Sequence, residues 1–129
     1  MVNPFSYPIT FLPCNSLEEI RPFYEKILQL PVALEQARCI LYRIGSKAYW
    51  GFCDHYSEKI IDPERICLTL VVDTQHDVDK WHSHLVSNQV PCKKSPAYNR
   101  TFKIYNAFYY DPTGYTIEIQ VFDTNAHPL

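Results

Sequence analysis

The chain has 129 residues, of which 47% are apolar and 20% charged, and a net charge of −2; this suits a single soluble domain that buries its own core. The near-neutral balance, without any run of like charge, speaks against nucleic acid as a partner, and no apolar stretch reaches the length of a membrane span. Five cysteines, Cys14, Cys39, Cys53, Cys67 and Cys92, form no CxxC pair, and the opening residues lack a secretory pattern, so reduced thiols in a cytoplasmic protein are expected.

Residues 9–12 read as the first strand. Ser16 with Glu19 three residues on makes a capping box that starts a helix, and Leu17, Ile20, Tyr24, Ile27 and Leu28 share one stripe of it. Pro22 interrupts that helix by removing a hydrogen bond, so a kink or a ragged turn is expected there. Strands follow at 39–44 and 47–53, joined by a short turn at Gly45 and Ser46. Another strand is read at 66–72, then a helix capped by Asp77 with Val78, Trp81 and Leu85 on its apolar face. His76, His82 and His84 bracket this helix at spacings that make no metal pair and are read as surface residues; His127 falls in the C-terminal tail. Strands 102–110 and 115–122 close the series, joined by Asp111, Pro112, Thr113 and Gly114, which form a tight turn.

The last strand alternates with a period of two. Ile117, Ile119 and Val121 share one face, and Thr116, Glu118 and Gln120 share the other. A carboxylate in an apolar strand has to be solvated, paired or used, because burying an unpaired charge is prohibitively unfavourable. Glu118 therefore faces water or a cleft. In the neighbouring strand Phe108 and Tyr110 share its face, with Tyr109 turned to the core. The order of strand, helix and strands occurs twice, about 5–55 and about 64–123. Two such modules, each with one sheet face covered by a helix and one bare, are expected to enclose a cleft between the bare faces.

Two segments carry a family resemblance: LEEIRPFYEKIL at 17–28, and FYYDPTGYTIEI at 108–119 with its DPxG turn and Ile-Glu strand. With them the chain resembles the vicinal oxygen chelate superfamily, also called the glyoxalase/bleomycin-resistance/dioxygenase family. The resemblance implies an α+β fold of two βαβββ modules whose sheets form a cleft, a homodimer, and in many members a divalent metal held by His, Glu or Gln from the first and last strands of each module. Only Glu118 matches that ligand pattern. The opening strands offer Ile9, Thr10 and Phe11 in module one and Ile66, Cys67 and Leu68 in module two, and the counterpart of Glu118 in module one is Tyr49. One carboxylate cannot hold such an ion, which in catalytic sites takes about three protein ligands. His55, just past the strand of Tyr49, could join Glu118 and Cys67 in a three-ligand set, but an ordinary loop histidine is the favoured reading.

The expected function is binding of a small organic ligand in the cleft without a cofactor, with Glu118 as the candidate base for metal-free chemistry. Arg43, Tyr49, His55, Phe108, Tyr110 and Gln120 are the candidate ligand-binding residues, and Arg43 the expected ion-pair partner of Glu118. The alternatives are a divalent-metal lyase or dioxygenase of the same superfamily, and a non-catalytic structural or regulatory protein.

Overall fold

The computed structural model describes residues 2–58 and 60–125, so His127 lies outside the described residues. The chain divides into two compact units, Met1–Ile61 and Asp62–Leu129. Each holds one four-stranded mixed sheet and its own helical segment, in keeping with the expected α+β class. Among the described residues no helix is long and apolar enough to cross a membrane.

In the first unit, strands β1 (Ile9–Pro13), β2 (Val32–Gln36), β3 (Cys39–Ile44) and β4 (Ala48–Cys53) lie in the order β1-β4-β3-β2. β1 runs parallel to β4 and the other pairs are antiparallel. The Ser16 hydroxyl accepts a hydrogen bond from Glu19 N at 3.2 Å and starts α1 (Leu17–Arg21). At Pro22 the winding widens into a π-helical stretch, Pro22–Ile27, in which Leu28 N donates to Phe23 O. Proline has no N–H for the α-helical ladder, and a wider turn absorbs the loss without ending the helix. The segment seats Tyr24 against Tyr42 and Phe52, at ring-centroid distances of 5.7 and 4.3 Å, with Trp50 edge-on at 6.5 Å. Tyr24, Tyr42 and Phe52 have no exposed surface, and their rings form the core of this unit.

On the sheet face away from that helix, Gly51 lies in register with Phe11 on one side and Leu41 on the other. A Cβ at Gly51 would sit 2.7 Å from the Phe11 ring, so a larger residue there would have to displace the exposed Phe11 side chain. Cys39 and Cys53 are directly opposite in the β3/β4 ladder and form a disulfide. This corrects the expectation that all the thiols are reduced; the remaining three, Cys14, Cys67 and Cys92, form no disulfide.

The second unit repeats the plan with β5 (Cys67–Val71), β6 (Cys92–Asn99), β7 (Ile104–Tyr110) and β8 (Thr116–Phe122), ordered β5-β8-β7-β6. α2 (Gln75–Ser87) covers one face. Its cap is Thr74, whose hydroxyl accepts from Asp77 N at 3.0 Å, so Asp77 falls inside the first turn instead of capping it. Val78 and Leu85 pack without exposure alongside Ile117 and Ile119 of β8. Two polar contacts fasten α2 to β7: Tyr105 donates to Asp79 at 2.6 Å, and Tyr109 shares a hydrogen bond of 2.7 Å with Nδ1 of His82. His82 is thus half-buried against the sheet and is not the surface residue expected from its spacing.

These tyrosines give the protein an alkaline limit. Burial, with the Glu25 carboxylate that accepts from its hydroxyl at 2.8 Å, pushes the Tyr42 phenol well above the ordinary tyrosine range, and burial does the same to Tyr109. A folded-state value above the unfolded one means that the proton binds the native state more tightly, so this contribution is whole below about pH 10 and is lost as pH rises beyond it. Urea midpoints measured from pH 8 to 11 should hold steady and then fall above about 10, and Tyr42→Phe should flatten the fall; an unchanged slope in that variant would contradict the assignment.

Candidate functional site

β8 is an interior strand flanked by β5 and β7, and six of its seven residues are buried. Ile117 and Ile119 face α2, so alternation turns Thr116, Glu118, Gln120 and Phe122 to the other face of the sheet. That face carries a cavity of about 620 Å³. Phe102, Ile104, Phe108 and Phe122 supply apolar walls, and Asn106, Thr116, Glu118 and Gln120 are its buried polar groups. Glu64 and Lys93 also line it.

Glu118 is 7% exposed, and its carboxylate is held by neutral groups of the same sheet. Oε1 accepts from the Thr69 hydroxyl at 2.6 Å and from Gln120 Nε2 at 3.2 Å, with the Cys67 thiol at 3.8 Å. Oε2 accepts from Asn106 Nδ2 at 2.7 Å. Pairing explains the set, because Thr69 and Phe108 lie opposite Glu118 on the two neighbouring strands, and Asn106 lies opposite Gln120. Lys94 Nζ in turn donates to Asn106 Oδ1 at 3.4 Å, which fixes the amide so that its NH₂ faces Glu118. A buried carboxylate supplied with several donors is tolerated where an unpaired one would not be.

Cys67 opens onto the same cavity instead of facing the helix, and its thiol is pushed up from the ordinary range, chiefly by burial. The other candidate residues are distributed as follows. Phe108 and Gln120 line the cavity with Glu118, while Tyr110, next along the face, is half-buried with Lys93 Nζ 5.8 Å from its ring centre. Arg43, Tyr49 and His55 belong to the first unit: Arg43 is exposed on β3, Tyr49 on β4 meets Tyr7 edge-on at 5.2 Å, and His55 stacks on Tyr56 at 4.5 Å. Thr69, Asn106 and Lys94 are the site residues that sequence reading missed. Asn106 could have been found by period two from Phe108; Thr69 and Lys94 needed the strand register.

The donor set does not fit a divalent metal of the kind the superfamily resemblance implies. The Cys67 thiol and the Gln120 amide lie against Glu118, and among the described residues no three His, Cys, Asp or Glu side chains group so as to hold an ion. The neutral donors around Glu118 already engage both of its oxygens.

The family model described as Glyoxalase/Bleomycin resistance protein/Dioxygenase superfamily matches residues 7–119. No curated protein sequence matches the chain significantly. Among solved structures, the chain is similar to a glyoxalase/bleomycin resistance protein/dioxygenase from Nocardioides, with 12% identity, a TM-score of 0.75, and coverage of 95% of this chain and 85% of that one. It is also similar to a lactoylglutathione lyase from Agrobacterium tumefaciens, with 16% identity, a TM-score of 0.73, and coverage of 92% and 94%. A glyoxalase/bleomycin resistance protein/dioxygenase from Alicyclobacillus acidocaldarius shares 15% identity at a TM-score of 0.71 over 98% of both chains. At these identities the likeness is one of fold.

Proposed function

Since the chain belongs to the Glyoxalase/Bleomycin resistance protein/Dioxygenase superfamily, we propose that it binds a small, flat organic molecule on the Glu118 face of its second sheet and does so without a resident metal. The observation that carries this reading is the cavity itself: about 620 Å³ with aromatic and aliphatic walls beside a buried, hydrogen-bonded carboxylate. A mostly apolar pocket with a few convergent polar groups is what orients a small ligand.

Any chemistry there runs through Glu118. Its Oε1 is engaged by Thr69 and Gln120, whereas Oε2 has Asn106 as its hydrogen-bond donor. A carboxylate oxygen offers about two acceptor sites, so Oε2 is the oxygen on which a proton from a bound ligand would land. The Lys94–Asn106 contact keeps that oxygen facing an amide N–H.

The test is a thermal-shift screen of aromatic and carbonyl-bearing small molecules, together with metal analysis of protein purified without chelator. A ligand at a hundredfold excess over its Kd should stabilise the protein by about 2.7 kcal/mol, and Phe108→Ala should weaken that effect. Metal content should stay well below one ion per chain; stoichiometric metal lost on Glu118→Gln would overturn the metal-free reading.

A further inference from the structure

A bulge in β6 aims two consecutive lysines at the cavity face. Cys92 pairs with Tyr109 and Lys94 with Phe108, so two steps along β6 oppose one step along β7. In a regular ladder Lys93 would oppose Phe108, and Lys94 would oppose Ala107 and turn to the α2 side of the sheet. Instead Lys94 Nζ lies 5.9 Å from the centre of the Phe108 ring, and Lys93 Nζ lies 5.8 Å from that of Tyr110. Bulges re-aim side chains in this way beside functional sites. The two ammonium groups are not equivalent. Lys94 donates to Asn106 Oδ1 at 3.4 Å, whereas Lys93 is exposed, lines the cavity and forms no ion pair among the described residues.

We propose that Lys93 is the anion-binding residue of the cavity and that the ligand class is a flat aromatic monocarboxylate, with its ring among Phe102, Phe108 and Phe122 and its carboxylate at the Lys93 ammonium. This rests on the reading of the cavity as a ligand site. Tyr110, whose ring lies below that ammonium, pairs with Thr116, the residue before Glu118 on the cavity face of β8. The positive charge therefore stands toward one end of the cavity, displaced along the strands from the buried carboxylate. Glu118 repels a ligand carboxylate while Lys93 attracts it, so both charges specify the same pose. Glu64 also lines the cavity, and with two protein carboxylates facing the ligand a second negative charge on it is opposed. Because Lys93 is open to solvent, its effect is modest and weakens with salt.

Naphthoate and naphthamide are the probes, two molecules of nearly the same size and shape that differ by a carboxylate against a neutral amide. Each is titrated at low ionic strength into the wild-type protein, Lys93→Met and Lys93→Glu, exposed-site changes that the fold should accept. Naphthoate should bind the wild-type protein roughly threefold to fivefold more tightly than naphthamide, and salt at about 0.5 M should shrink that preference. Lys93→Met should remove the preference and Lys93→Glu should invert it. Equal affinity of the two probes for the wild-type protein, or tighter binding of the amide, would overturn the proposal and leave the ligand site standing. A preference for naphthoate that survives in Lys93→Met would overturn the assignment to Lys93. If neither probe binds, the proposal falls, and the cavity reading falls with it unless the wider screen finds another ligand.

Discussion

Phe52→Ala should destabilise the first unit by about 4 kcal/mol. Phe52 is without exposed surface, its ring lies 4.3 Å from that of Tyr24 and 6.1 Å from that of Tyr42, and it stands on the sheet face that the widened helix covers. Removing the ring loses its burial and leaves a hole bordered by two tyrosines that cannot follow it inward, because Tyr42 is anchored through its hydroxyl to Glu25. The incomplete relaxation places the loss at the upper part of the usual range for aromatic truncation. The chain has two tryptophans, and Trp50 belongs to the first unit while Trp81 belongs to the second. Urea unfolding followed by Trp50 emission in a Trp81→Phe background therefore reads the effect where it arises. A loss below about 1 kcal/mol would mean that the ring cluster is not packed as described.

Asp111→Ala should cost about 3 kcal/mol, this time in the second unit. The carboxylate is 6% exposed, and its Oδ1 accepts from the backbone N–H groups of Thr113, Gly114 and Tyr115 at 2.9, 2.8 and 2.8 Å. One side-chain oxygen thus organises the whole turn from β7 into β8, with Gly114 at φ +105° completing it. Alanine would leave those N–H groups without this acceptor in a region that is partly closed to water, and each such loss carries a desolvation penalty. Asp111→Asn keeps a carbonyl oxygen in place and should lose only about 1 kcal/mol. Trp81 emission in a Trp50→Phe background is the readout, and equal losses in the Ala and Asn variants would refute the turn-organising role.

What the sequence disclosed of this fold was the part decided locally. The Ser16 cap, the disturbance at Pro22, the Asp111 turn and the alternation along β8 all depend on residues within a few positions of one another, and each is in the structure as its chemistry suggests. β2 and β6 went unread for opposite reasons. β2 is exposed at all five positions and has a register shift between Val32 and Leu34, so no dry face writes a period of two into it. β6 carries two lysines and Pro96 with two shifts of its own, features of an edge strand that look like a loop. Thr74 and Asp77 are both good caps three residues apart, and the helix began at the earlier one.

The disulfide shows how small a misreading can be. A two-residue turn at Gly45 and Ser46 would pair Ile44 with Lys47, whereas the chain uses Lys47 in the turn and pairs Ile44 with Ala48. That single step brings Cys39 opposite Cys53; with the shorter turn Cys39 would face Phe52, on the wrong side of the sheet. The site was legible in the same measure. Glu118, Phe108 and Gln120 follow from alternation within strands, but the donors Thr69 and Lys94 reach it across strand pairings that only the assembled sheet defines.

In each unit the first strand pairs in parallel with the last, β1 with β4 and β5 with β8. During synthesis of the second unit, β5 must wait unpaired on that side until some fifty further residues have been made, and non-local pairing of this kind slows folding. The strand that ends the wait is the one bearing Glu118 and Gln120. If the cavity binds a small molecule, as proposed, occupancy requires a finished sheet, so the ligand would report completed folding and, by mass action, oppose its reversal.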